Sequence, residues 1–133
     1  MLSFDVGSSA TVKKKYTEED LKNYAAASGD FNPVHLDTEY ASKTKFKRPI
    51  VHGMLVAGLI SSILGTKLPG RGTIYLNQTL SFKAPVYPGD EITARVEVLK
   101  IREDKPVITL STNCVNQENE TVIEGEAVVL FPH

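Results

Sequence analysis

Residues 52–64 read HGMLVAGLISSIL, and this stretch decides the fold. Its apolar side chains surround the axis of a predicted helix instead of occupying one stripe, so the helix must be covered on all sides. No Asp, Glu, Lys or Arg occurs in residues 49–66, which approach the length that a membrane-spanning helix needs. Proline, glycine and serine interrupt that interval, and its strongly apolar part is only residues 54–64. We therefore predict a buried core helix and no membrane span.

The sequence after this helix has the period of two that is typical of strands. Apolar and polar residues alternate in four segments, residues 74–82, 92–98, 108–114 and 122–131. The alternation slips at Leu99, which predicts a bulge. We expect residues 1–133 to form one α+β domain, in which an antiparallel sheet wraps around the central apolar helix in the hot-dog arrangement. Such a sheet has open edges that a second subunit commonly covers, so a homodimer is expected.

The segment before the core helix is helical and then irregular. Thr17 is placed to cap a helix, and Gly29 is placed to end it. Residues 30–35, DFNPVH, are predicted to form a loop because Pro33 disfavours helical backbone at the residue before it. Asp37 is placed to cap a further short helix.

Composition excludes several classes of partner. Lys plus Arg number 15 against 16 Asp plus Glu, so no basic field exists to hold nucleic acid.

Cys114 is the only cysteine, which excludes an internal disulfide, and a small core residue is its simplest interpretation. A reducing compartment follows, and we expect the cytoplasm. The first residues carry neither a basic region nor an apolar region that would predict a signal peptide.

Asp30 and His35 are the first candidates for chemistry. They lie five residues apart on the predicted loop. An imidazole titrates near neutrality, and a carboxylate beside it can help to take a proton from water. The spacing alone is a weak signal, because a turn aspartate and an unrelated histidine explain it equally simply.

Gly53, at the start of the core helix, is the second candidate. The first amides of a helix have no partner inside the helix, and a residue without a side chain lets a carbonyl oxygen approach them. Close packing of helix and sheet would explain the same glycine.

Ser61, on the same helix, can hold an imidazole or a ligand, or bond to its own helix backbone. His52 is interpreted as a structural residue that orients the turn.

Four motifs together resemble one family. They are SGDFNPVHLD at residues 28–37, FKRPIVHGM at residues 46–54, REDKP at residues 102–106 and GEA at residues 125–127. The chain resembles the MaoC-like family over about residues 16–132, and within it the short (R)-specific enoyl-CoA hydratases.

The resemblance implies a role for each matching residue. Asp30 and His35 match the catalytic pair, and Gly53 matches the glycine whose amide holds the thioester oxygen. Ser61 matches a serine near the catalytic histidine, and Leu64 falls where the family lines its acyl pocket. The resemblance implies no metal and no other cofactor.

The implied activity is hydration of a trans-2-enoyl-CoA to the (R)-3-hydroxyacyl-CoA, so the partner would be an acyl-CoA thioester. Such enzymes divert β-oxidation intermediates to polyhydroxyalkanoate synthesis in bacteria. A 3-hydroxyacyl-[acyl-carrier-protein] dehydratase is the nearest alternative, since the basic residues of 43–48 could contact a carrier or the phosphates of CoA. A hot-dog thioesterase and a non-catalytic acyl-thioester binding module are further alternatives, and the Asp30–His35 pair argues against both.

Overall fold

A computed structural model describes residues 2–132. The elements in chain order are β1 (Ser9–Lys15), α1 (Glu18–Ser28), α2 (Pro33–Leu36), α3 (Thr38–Ser42), α4 (Gly53–Thr66), β2 (Ile74–Gln78), β3 (Ser81–Phe82), β4 (Glu91–Ile101), β5 (Val107–Val115) and β6 (Thr121–Leu130). All strand pairs are antiparallel, in the order β1-β4-β5-β6-β2, and β3 also pairs with β6. No helix within residues 2–132 is long and apolar enough to cross a membrane.

The core lies between α4 and the sheet. Alternate residues of the strands face the helix, as the period of two predicts: on β4 these are Ile92, Ala94, Val96 and Val98, all without exposed surface. Helix α4 contributes Val56, Ala57, Ile60, Ile63 and Leu64 to the same core. The predicted α+β domain with a sheet around a central helix is therefore confirmed, and so is the bulge, which lies between Val98 and Lys100.

The local signals around α1 are also confirmed. The Thr17 hydroxyl accepts from the Asp20 amide at 3.2 Å, and the Asp20 carboxylate accepts from the Thr17 amide at 2.9 Å. Gly29 ends the helix with φ of 81°, a conformation that favours glycine. The predicted loop of residues 30–35 needs one correction. Pro33 begins the short helix α2, because proline is tolerated at a first helical position and the Asn32 side chain caps it.

The predicted strand of residues 74–82 needs a larger correction, because it is broken into β2 and β3. Thr79, at the break, bonds to Glu126 of β6 through both its amide and its hydroxyl. A Cβ atom at Gly125 would overlap the Thr79 carbonyl oxygen and lie 2.7 Å from the Thr79 carbonyl carbon. The two backbones therefore touch at Gly125, and regular pairing stops there.

Helix α4 has one uncovered side. Met54, Gly58 and Ser61 remain exposed although the helix is apolar, and Ile74 and Leu76 of the edge strand β2 are more than half exposed. The prediction that the helix is covered on all sides is therefore wrong for the single chain, because this one side stays exposed beside β2.

Because of the close contact at Gly125, one methyl group added there should lower the stability of the fold. Gly125→Ala should lower the free energy of unfolding by about 1–3 kcal/mol, because overpacking against a fixed backbone forces a shift. Urea unfolding should measure this against Gly65→Ala, a helical glycine with open space at its Cβ position, which should be neutral or stabilising. Equal stability of Gly125→Ala and the wild type would contradict the close backbone contact.

Candidate active site

A cavity of about 540 Å³ opens at the start of α4. Its polar lining comes from Asp30, His35, Lys45, His52, Gly53 and Lys83. Its walls are otherwise apolar, and they include Val56 of α4, Phe82 of β3, Val86 and Ile123 of β6. The structure thus brings together the predicted acid/base pair and the predicted helix-start glycine.

Asp30 is placed by the turn that ends α1. Its amide donates to the Ser28 hydroxyl at 3.1 Å, and one carboxylate oxygen accepts from the Asn32 amide at 3.2 Å. The residue is exposed, and it lines the cavity. Because a carboxylate has two oxygens with free lone pairs, Asp30 retains acceptor sites for a water molecule.

His35 is oriented by one short hydrogen bond. Its Nδ1 lies 2.7 Å from the Ile50 carbonyl oxygen, which can only accept, so Nδ1 carries the hydrogen. In the neutral ring Nε2 is then a proton acceptor. A ring fixed in this tautomer can take a proton from water at Nε2 and return it later.

His52 lies directly behind this pair and is 1% exposed. Its Nε2 lies 3.1 Å from the Asp30 carbonyl oxygen and donates to it. Its ring stacks on His35 with centroids 3.9 Å apart, and the Tyr24 ring lies 4.7 Å away. Burial lowers the pKa of His52, and the nearby His35 lowers it further, whereas the bond to Asp30 acts in the opposite direction.

Asp30, His35 and His52 each offer one possible metal ligand, and these atoms lie within 4.8 Å of one another. The two histidine rings are inclined by only 26°. Since imidazole lone pairs lie in the ring plane, near-parallel stacked rings do not converge on one ion at the 2.0–2.1 Å that zinc requires. The arrangement suits proton transfer better than metal ligation.

Gly53 is the first residue of α4, and it lines the cavity. A Cβ atom there would lie 2.7 Å from the Phe82 ring. Packing against Phe82 therefore explains the glycine, and the partial positive charge of the helix start favours an oxygen at the same place. Both interpretations from the sequence remain compatible with this position.

Ser61 and Leu64 do not line this cavity. Ser61 is exposed in a separate groove of about 390 Å³, which also contains Tyr75 and Leu76 of β2. Met54 lines both the groove and the cavity, so the two adjoin. Leu64 is 1% exposed and lies in the core.

The basic residues of 43–48 do not form one cluster in the structure, because they lie in different surroundings. Lys45 reaches the cavity, where Lys83 of the segment after β3 joins it. Lys43 lies 3.7 Å from Glu39, and the Arg48 guanidinium lies over the Tyr87 ring at 4.1 Å. Sequence reasoning missed Lys83, Phe82 and Val86, since nothing local links residues 82–86 to residue 30.

Comparison with known proteins identifies the family of this chain. A family model described as MaoC like domain matches residues 6–120. The chain is 52% identical to the (R)-specific enoyl-CoA hydratase of Aeromonas caviae, over 98% of this chain and 97% of that one. It is 40% identical to a mitochondrial 3-hydroxyacyl-[acyl-carrier-protein] dehydratase of Arabidopsis thaliana, over 96% and 78%. The solved structure of the (R)-hydratase from A. caviae involved in PHA biosynthesis matches with a TM-score of 0.95, 52% identity and 98% coverage of both chains.

Proposed function

This chain belongs to the MaoC-like domain family, and on that premise we propose that it is an (R)-specific enoyl-CoA hydratase, a hydro-lyase acting on trans-2-enoyl-CoA. The observation that carries the proposal is the cavity that Asp30, His35 and the start of α4 line together, with His35 Nδ1 bonded to the Ile50 carbonyl. The test is loss of enoyl absorbance with crotonyl-CoA, followed by chiral analysis of the product. A wild-type chain that forms no (R)-3-hydroxybutyryl-CoA would contradict the proposal.

The mechanism follows from the three positions. A water molecule binds between the Asp30 carboxylate and His35 Nε2, and the thioester oxygen accepts from the Gly53 amide. This bond draws electrons from the C2–C3 double bond towards the carbonyl. The water oxygen bonds to C3 while the acid/base pair takes one proton from it, and C2 receives one proton from the same pair. A positioned base contributes roughly 10²–10⁴-fold and one oxyanion donor roughly 10²–10³-fold.

The rest of the molecule supports this role. We propose that residues 1–133 work as one catalytic module without a metal or redox cofactor, because addition of water changes no overall oxidation state. Cys114 is a buried free thiol, in keeping with a reducing compartment, and we propose the cytoplasm. The product would enter acyl metabolism that consumes (R)-3-hydroxyacyl-CoA, such as polyhydroxyalkanoate synthesis.

Asp30→Asn should fold normally and lower kcat/KM for crotonyl-CoA by about 10²–10⁴-fold, because an amide of the same size cannot take a proton from water. Asp37→Asn is the matched control, since Asp37 caps α3 outside the cavity lining and asparagine caps equally well. Near wild-type activity of Asp30→Asn would remove Asp30 from the mechanism.

We propose that the acyl tail runs along one stripe of α4, which must part from the sheet to admit it, because Ile60 and Leu64 are buried in the core. Val56 lines the cavity, and Ile60 and Leu64 follow it at intervals of four residues on the same stripe of α4. A tail that runs along this stripe passes Ile60 and approaches Leu64. The proposed role of Leu64 in limiting acyl length rests on this alignment and on the family resemblance.

Leu64→Ala should therefore raise the ratio of kcat/KM for an eight-carbon over a four-carbon enoyl-CoA by about tenfold, within the range that apolar pockets achieve. Melting must be followed, because removal of a buried leucine side chain costs about 2–5 kcal/mol. Leu110→Ala on β5 is a control of the same type and burial, outside the cavity lining. An unchanged ratio in folded Leu64→Ala would exclude Leu64 from the acyl pocket.

We propose that Lys45 and Lys83 contact the phosphate groups at the CoA end of the substrate. Both line the cavity, and both carry the positive charge that phosphate groups bind. The same pair would serve a phosphopantetheine arm on an acyl carrier protein, and the relative that acts on such a carrier keeps this second candidate open. Comparing crotonyl-CoA with the crotonyl thioester of an acyl carrier protein distinguishes the two carriers.

Lys45→Ala should raise KM for crotonyl-CoA by about threefold to tenfold, the effect of one partly exposed charge-assisted contact. It should leave KM unchanged for crotonyl-pantetheine, which has no phosphate. Lys43→Ala is the control, since Lys43 pairs with Glu39 and does not line the cavity. Equal effects of Lys45→Ala on both substrates would exclude a phosphate contact.

We also propose that two copies associate through the uncovered side of α4. This face continues into the groove of Ser61, and the edge strand β2 beside it presents Tyr75 and Leu76. An exposed apolar face next to an unpaired strand edge favours association with a second copy. Such a copy would also cover the mouth of the groove next to the substrate cavity.

Sedimentation at micromolar concentration should therefore give twice the chain mass of 14.6 kDa. Leu76→Asp should shift the protein towards the monomer, because a carboxylate on that face would lose water on association. Lys43→Ala, which changes a charge elsewhere on the surface, should not. A wild type that sediments only as a monomer would refute the homodimer.

A further inference from the structure

We propose that His52 is a positioning residue for the hydration reaction, holding the Asp30 loop and the His35 ring at a fixed separation. The inference rests on the proposed function, and it assigns a role to a buried histidine that does not itself exchange a proton with substrate. His52 joins three parts of the site. It bonds to the Asp30 carbonyl, it stacks on His35, and it immediately precedes Gly53.

The bond to Asp30 fixes the catalytic loop. The His52 Nε2–H donates to the Asp30 carbonyl oxygen across 22 residues of sequence. The backbone of Asp30 is thereby held to the residue that immediately precedes α4. The position of the carboxylate relative to the helix start then depends on this bond and on local bonds within the loop.

The stack fixes the second catalytic group. His35 has a hydrogen bond at Nδ1 that sets its tautomer, and a single bond leaves the ring free to tilt about it. The His52 ring lies 3.9 Å from that of His35 and prevents such a tilt. Tyr24 of α1 contacts His52 in turn, so the histidine pair is supported from the helix before the loop.

A neutral His52 is required for this role. During turnover His35 receives a proton at Nε2, and a second cation stacked on it would oppose that transfer. The face of a neutral ring instead accommodates a cation. Burial favours the neutral form, and the bond to Asp30 places its one hydrogen on Nε2.

The unused nitrogen argues against a purely structural role. Within residues 2–132, His52 Nδ1 is a buried side-chain nitrogen without a hydrogen-bond partner. Such a group lowers stability, and an apolar residue of similar size would avoid the loss. A histidine retained at this cost is explained by what its Nε2–H and its ring do for the site.

Two variants separate the two contacts. His52→Phe keeps a ring that can stack on His35 and loses the donor to Asp30. His52→Gln keeps a donor that can reach Asp30 and loses the ring. Val96→Ala, in the core of β4 and outside the cavity lining, is the control for stability alone. Each is assayed with crotonyl-CoA beside its melting temperature.

Misplacement of a catalytic group by about 1 Å can lower rates on the order of 10²-fold. We expect His52→Phe to lower kcat by about that factor with KM changed less than about threefold, and His52→Gln to recover at least about tenfold of the loss. Val96→Ala should keep its kcat. The inference is overturned if His52→Phe keeps kcat within about threefold of wild type, or if His52→Gln recovers nothing.

Nitrogen NMR of the wild-type imidazoles makes the test independent of whether the variants fold. Above pH 6.5, the ordinary value for histidine, we expect His52 to be neutral with its hydrogen on Nε2, since burial lowers its pKa and the Asp30 carbonyl accepts from Nε2. A charged His52, or one with its hydrogen on Nδ1, overturns the inference. A wild type without hydratase activity contradicts the proposed function and the inference together, whereas an active wild type with a fully active His52→Phe contradicts the inference alone.

Discussion

Burial of one face of α4 against the sheet is the constraint on which the site depends. The helix packs on β1, β4 and β5, and this contact fixes its axis and therefore the place where it begins. Gly53 and its free amide lie at that beginning. The segment that carries Asp30 and His35 is then tied to the same point, through His35 to the Ile50 carbonyl and through His52 to the Asp30 carbonyl. A core contact thus sets the geometry of a surface cavity.

The sequence predicted those parts of the fold that depend on neighbouring residues. The N-cap at Thr17, the helix end at Gly29 and the alternation along β4 need only local backbone and side-chain preferences. The break in the strand of residues 74–82 could not be predicted, because it arises where that strand meets β6 about 45 residues later. The open side of α4 could not be predicted either, since periodicity shows what must be covered but not what covers it.

The same limit applied to the site, where residues in short motifs were predicted and residues with distant partners were not. Asp30, His35 and Gly53 lie in two short motifs, and the structure places all three at one cavity. Ser61 and Leu64 were assigned through the resemblance, and a single chain does not bring them to that cavity. His52 was recognised but interpreted as a turn residue, because its partner is the backbone oxygen of residue 30, and a backbone oxygen leaves no mark in a sequence.

Two glycines on different elements have a joint consequence for how this enzyme can change. Gly125 admits the Thr79 carbonyl, which ends β2 and lets the chain turn into β3. Strand β3 then carries Phe82 to the start of α4, where the missing side chain of Gly53 leaves room for its ring. A wall of the cavity at the start of α4 therefore depends on a backbone contact outside it. Substitutions at Gly125 and Gly53 both act on the segment from Thr79 to Phe82, so their effects on the cavity would not be additive. A change at either glycine would therefore restrict which residues the other position tolerates.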